Sequence, residues 1–140
     1  MGYGFIEKEH FGGTCLNTGC TPTKAYVASA RRMYDALNGE ALGVIIPKGT
    51  KADLKKIKER KDSLIKKSVD GIKKGIEENE NITFFKGTAK FTDQKTVEVN
   101  GQKISADQIF INVGARPFIP ESFQGVNYLT NQSILELEPL

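Results

Sequence analysis

The sequence predicts an α/β fold, and three observations carry that prediction. Apolar residues recur at helical spacing between Thr21 and Gly39 and again between Ala52 and Glu78. From Ile82 onward the spacing becomes two, the period of a strand. A nearly all-apolar run, Ile109-Phe110-Ile111-Asn112-Val113, ends on Gly114, as a strand buried on both faces of a parallel sheet would. The 140 residues, 39% hydrophobic and 26% charged, suffice for one ordinary globular core and for no second one.

In chain order, Tyr3 to Ile6 read as a short strand closed by Glu7, followed by polar Lys8-Glu9-His10 and a turn at Gly12-Gly13. The first helix takes Thr21 as its N-cap, Pro22 as its first position and Gly39 as its stop. Tyr26, Ala30, Met33, Tyr34 and Leu37 form its core-facing stripe, with Arg31 and Arg32 on the solvated side. The second helix presents Leu54, Ile57, Leu64, Ile65, Val69, Ile72 and Ile76. Its lysines 55, 56, 58, 66, 67, 73 and 74 lie largely off that stripe among interleaved carboxylates, so they read as a solvated face with no ligand. Strands follow at Ile82–Phe85, Gly87–Phe91, Thr96–Val99, Lys103–Ser105 and Gln108–Val113, with a hairpin turn at Asn100-Gly101. Residues 128–140 read as a linker.

Charge and hydropathy exclude several classes. A formal charge of +3, from 20 basic and 17 acidic residues, is not the concentrated positive stripe of a nucleic-acid binder. No apolar run approaches the roughly 20 residues that cross a bilayer, and the N-terminus lacks the order of a signal peptide. Neither nucleic acid nor membrane is therefore expected as a partner, and a cytoplasmic protein is.

The two cysteines stand together in Thr14-Cys15-Leu16-Asn17-Thr18-Gly19-Cys20. A bridge across so short a loop would constrain the unfolded chain by only about 2 kcal/mol, so chemistry is the better reason for the pair. A redox dithiol needs one exposed sulfur to attack and a second to resolve the product. A helix start favours thiolate, which suits Cys20 just before Thr21. Gly12 and Gly13 permit close backbone approach to a bulky ligand, and Thr14 adds a hydroxyl. His10 completes H-x4-C-x4-C, but a structural zinc site takes four protein ligands and the sequence offers no fourth Cys or His, so no metal site is assigned.

The stretch from Gly12 to Lys24, GGTCLNTGCTPTK, resembles the active-site signature of the flavin-dependent pyridine nucleotide–disulfide oxidoreductases, the class of mercuric reductase, dihydrolipoamide dehydrogenase and glutathione reductase. Glu7 is similar to that family's acidic residue on the adenosine ribose. Gly87-Thr88-Ala89 resembles its adenine-contacting segment, and Ile111 to Pro117 its second flavin signature, with Val113 in place of a frequent hydroxyl. Leu129 to Ser133 resembles the link to an NAD(P) domain.

The resemblance implies an incomplete FAD-binding Rossmann-like domain over 1–127, with two helices and a small antiparallel β-meander. It also implies that 128–140 lead towards an NAD(P)-binding domain. The family's leading βα unit, about 30 residues with a glycine-rich turn, is then missing ahead of Glu7. Gly2-Tyr3-Gly4 does not replace it, because Glu stands at position 7 and no helix follows. The implied cofactors are FAD and, for the parent protein, NAD(P)H. The implied catalytic residues are Cys20, the thiolate against the flavin, and Cys15, the interchange thiol. Glu7, Gly12, Gly13, Thr14, Thr23, Lys24, Ala89 and Gly114 are the implied cofactor-binding residues. The substrate is a small-molecule disulfide or Hg(II), the assembly a homodimer or higher self-association, and the chain alone is expected to turn nothing over. Two rival readings stay open: a flavin-free dithiol module that binds soft metals, and a non-catalytic fragment that self-associates through an open sheet edge.

Overall fold

A computed structural model of the chain describes residues 2–138. These fold as two compact units, one of residues 2–13 and 69–115, the other of residues 14–68 and 116–138.

In the first unit, strand β1 (Tyr3–Glu7) pairs in parallel with β2 (Ile82–Lys86), with Phe5 opposite Phe84 and Glu7 opposite Lys86. The rings of Phe5, Phe11 and Phe84 pack together, with the centroids of Phe11 and Phe84 4.9 Å apart. Strands β3 (Ala89–Asp93), β4 (Thr96–Val99) and β5 (Gln102–Ser105) form the expected antiparallel meander, in the order β3-β4-β5. The hairpin between β4 and β5 turns on Asn100 and Gly101, both with positive φ (51° and 83°), which is the backbone of a type I′ turn. Asn100 also donates from Nδ2 to the carbonyl of Lys86 at 2.8 Å, tying the turn to the end of β2. Val97 and Val99 are the best-buried apolar residues of this unit, 6% and 3% exposed.

The expected strand over Gln108–Val113 does not form. That stretch is irregular, and Phe110, Ile111 and Val113 are 86%, 69% and 87% exposed. A strand needs a neighbour for its N–H and C=O groups, and no described strand lies beside this run. The third strand also sits two residues later than expected, at Ala89–Asp93.

In the second unit, a short helix α1 (Gly13–Asn17) precedes α2 (Cys20–Leu37), and α3 (Leu54–Glu77) carries the chain into the first unit. The N-cap of α2 is Gly19, not Thr21, so Thr21 and Pro22 already lie inside the first turn. The buried face of α2 also differs from the expected stripe. Pro22 and Ala25 are buried and Tyr26, Ser29, Met33 and Ala36 half-buried, whereas Ala30, Tyr34 and Leu37 are exposed. Small residues win this face because Arg60 of α3 reaches across it, donating to the Ala25 carbonyl and, at 3.1 Å, to Ser29 Oγ. Asn38 ends the helix, its Nδ2 on the Tyr34 carbonyl at 2.8 Å. On α3 the half-buried positions are Ile57, Ile65, Val69 and Ile76, while Leu54, Leu64 and Ile72 are exposed. Residues 133–136 form a single 3-10 turn.

Candidate functional site: a dithiol at the start of a helix

Cys15 lies in α1 and Cys20 is the first residue of α2; both are exposed and unbridged. Gly19 between them is what the local geometry demands. A Cβ at this position would stand 2.9 Å from the Thr14 carbonyl oxygen and 3.4 Å from Cys15 Cα, so any side chain would push the two cysteine-bearing turns apart. Two backbone bonds hold the arrangement: Thr18 N–H donates to the Thr14 carbonyl at 2.9 Å, and Thr23 N–H to the Gly19 carbonyl at 3.1 Å.

The two thiols meet. The hydrogen bond between the Cys15 and Cys20 side chains is the largest influence on the Cys15 thiol and pushes its pKa up; partial desolvation and the charge of Cys20 act in the same direction. Lys24, one turn into α2, pulls the other way and is outweighed. The Cys15 thiol is therefore held protonated by its partner.

The other candidate residues divide between the units. In the second, Thr14 belongs to the turn just described, and Thr23 and Lys24 are exposed in the first turn and a half of α2. In the first, Glu7 closes β1, and its Oε1 accepts the Glu9 N–H at 2.7 Å. Gly12 and Gly13 follow with φ of 86° and 56°, and a Cβ at Gly13 would meet nothing within 4 Å. A cavity of about 260 Å3 is lined by Glu7, Glu9, Phe11, Lys73, Phe84 and Lys86. Ala89 is placed by its pairing with Val99, and Gly114 by a left-handed backbone (φ 70°) within the irregular segment. The structure thus joins the two cysteines directly, and Glu7 with Lys86 through strand pairing.

Each unit, taken by itself, offers groups of the kind that suit part of a flavin dinucleotide. In the first unit, the carboxylates and ammonium groups that line one cavity with two phenylalanine rings suit a ribose and a purine, and the open space beside Gly13 suits a phosphate. In the second unit a thiol pair with a lysine one turn along suits a redox ring. Among the described residues no group of three or more His, Cys, Asp or Glu could hold a metal ion, and His10 is an exposed loop residue. No helix is long and apolar enough to cross a membrane among them.

Sequence reasoning missed one functional-looking residue. Lys61, on α3, is fully buried, with Nζ 2.6 Å from Glu136 Oε1 and 2.8 Å from Asp62 Oδ1. The signal was present, since Lys61 stands four residues from both Ile57 and Ile65, inside the apolar stripe. Of the lysines read as a solvated face, Lys58 departs: it is 20% exposed and faces Asp62, Glu136 and Glu138 at 3.5, 3.7 and 3.4 Å.

A paired dithiol at a helix start in an α/β frame marks the class of thiol–disulfide redox proteins. The sequence model for "Pyridine nucleotide-disulphide oxidoreductase" matches residues 5–138, and the chain belongs to that family, whose members are FAD-binding flavoproteins. It is 33% identical over 139 residues to a mercuric reductase of Lysinibacillus sphaericus, covering 98% of this chain and 25% of that protein. A mercuric reductase of Staphylococcus aureus is 35% identical over 135 residues, covering 95% and 24%. A dihydrolipoyl dehydrogenase of Bacillus subtilis (strain 168) is 33% identical over 144 residues, covering 96% and 31%. The chain thus spans about a quarter to a third of these relatives. In fold it is similar to the HOCl-induced flavoprotein disulfide reductase RclA from Escherichia coli, with a TM-score of 0.78 at 24% identity over 98% of this chain and 29% of that one.

Proposed function

We propose that this chain is the dithiol-bearing segment of a cytoplasmic, dimeric flavoprotein that reduces a small disulfide or Hg(II) at the expense of NAD(P)H. FAD, when bound, supplies the electron pair that converts the Cys15–Cys20 disulfide to the dithiol. Glu7, Gly12, Gly13, Thr14, Ala89 and Gly114 would hold it, with Thr23 and Lys24 beside its ring, where the Lys24 ammonium favours negative charge.

The observation that carries the reading is the thiol pair itself: free, exposed, hydrogen-bonded and set at a helix start. With a disulfide substrate, Cys15 gives up its proton and attacks one sulfur, and one substrate thiol leaves. Cys20, as thiolate, then attacks Cys15 of the mixed disulfide and the second thiol leaves; the protein pair is oxidised and the substrate disulfide reduced. The first step needs a base, because Cys15 is held protonated by its partner thiol. In this reading the 140-residue chain turns nothing over until such a base is supplied.

Two experiments test the reading. The first is the visible spectrum of the chain after incubation with FAD and gel filtration: a co-eluting flavin band is expected. Colourless protein that takes up Hg(II), with uptake lost in Cys15→Ser and Cys20→Ser, would favour the flavin-free metal module instead. The second is alkylation of each thiol against pH. The Cys15 rate should rise only above the pH of a simple thiol, about 8.5, and fall back towards it in Cys20→Ser; a Cys15 profile centred below that of a simple thiol would sink the assignment.

A further inference from the structure

We propose that residues 130–138 form a charge-locked strap that pins the dithiol-bearing helix α2 to α3, with the buried ammonium of Lys61 as the lock. The clasp draws on three elements of one unit. From α3, Lys61 Nζ meets Asp62 Oδ1 at 2.8 Å, Glu136 Oε1 at 2.6 Å and the Leu135 carbonyl at 3.1 Å. Lys58, one turn earlier, faces Asp62, Glu136 and Glu138. From α2, the Tyr26 hydroxyl donates to the same Leu135 carbonyl at 3.3 Å. That one carbonyl therefore accepts from both helices. The strap is itself kept in shape by Thr130 and Ser133, whose side chains bond each other and the backbone N–H groups of 130, 132 and 133.

A dehydrated ammonium is tolerated only while its partners stay in place, because burying an unpaired charge costs far more than the paired one gains. Among the described residues, every oxygen that meets Lys61 Nζ comes either from its neighbour Asp62 or from the strap. Lifting the strap strips Lys61 of Glu136 and of the Leu135 carbonyl, and Tyr26 of its acceptor, at once. The segment is therefore a two-position element, closed with all partners met or open with Lys61 hydrated. An ordinary exposed tail has no such penalty for leaving.

Hydrogen exchange on the full chain reads the lock directly. Glu136→Gln and Lys61→Met, made singly, should each raise amide exchange in 130–138, by about tenfold to a hundredfold for the first, which leaves the charge under-partnered. The pair Lys61→Met with Glu136→Leu replaces the ions by apolar groups and should restore protection. Such a recovery is one that mere damage to the fold would not give. Should a single variant fail to fold, the same recovery is read as return of the helical circular dichroism signal. Tyr26→Phe should loosen residues 20–37 a few-fold and leave 130–138 nearly unchanged. Unaltered exchange in both single variants, or a loss that the apolar pair does not recover, overturns the proposal.

Discussion

The meander of the first unit and the strap of the second reach burial by opposite chemistry. In the meander the best-buried side chains are Val97 and Val99, 6% and 3% exposed. Against α3 the best-buried side chain is Lys61, an ion, at 0%. The valines are held by strand pairing on both sides and by a hairpin turn. The lysine is held by carboxylates, so its burial lasts only while they are charged. Depth of burial therefore reports how many partners a position has, not how apolar its residue is. The exposed run at Phe110, Ile111 and Val113 makes the same point from the other side.

The largest effect should come from carrying the strap's chemistry into the meander. Val99→Asp puts a carboxylate at a position only 3% exposed, and should cost about 3 kcal/mol or more, unfolding 89–105 while leaving 130–138 protected in hydrogen exchange. Equal loss in both segments would show that the two regions are not independent. Asn100→Ala forfeits both the tolerated left-handed backbone and the bond to Lys86, for about 1–2 kcal/mol in urea unfolding.

A pH series separates the regions next. Hydrogen bonding to Lys61 holds the Asp62 carboxyl below its ordinary range, although partial burial opposes it. For Lys61 and Lys58, burial alone would lower the pKa, yet the facing carboxylates prevail and raise both. A depressed acid stabilises above its unfolded pKa and stops doing so as pH falls through its folded one; a raised base does so below its unfolded pKa and stops as pH rises through its folded one. The strap should hold between about pH 4 and about pH 10, the ordinary carboxylate and lysine values, and loosen beyond both, with the meander indifferent at neutral to alkaline pH. The smallest change is expected for Val113→Asp, within about 0.5 kcal/mol, because that side chain is 87% exposed.

Much of the fold was legible. Helical spacing set α2 and α3 within a few residues, and Asn100-Gly101 announced its hairpin through two residues that accept positive φ. What escaped depended on partners distant in sequence. Counting large side chains chose Tyr34 and Leu37 for the face of α2, whereas Ala25 and Ser29 take it because the Arg60 guanidinium needs room and acceptors there. Apolar content at Ile109–Val113 reports a wish for burial, and a strand additionally requires a neighbour. At the candidate site the cysteine pair and the glycines before it stood out by type and spacing, while Glu7 entered through the family resemblance. The tight approach of Gly19 to Thr14 and the upward push of Cys20 on the Cys15 thiol belong to three dimensions.

The bond from Tyr26 to Leu135 also has an optical side. The chain holds no tryptophan and four tyrosines, so its near-ultraviolet spectrum belongs to phenols. Tyr3, Tyr34 and Tyr128 are 64%, 66% and 46% exposed, while Tyr26 is half-buried with its hydroxyl engaged. A phenol fixed in an asymmetric surrounding gives the stronger ellipticity, so a band near 280 nm, itself about where tyrosine absorbs, would follow the strap without any label.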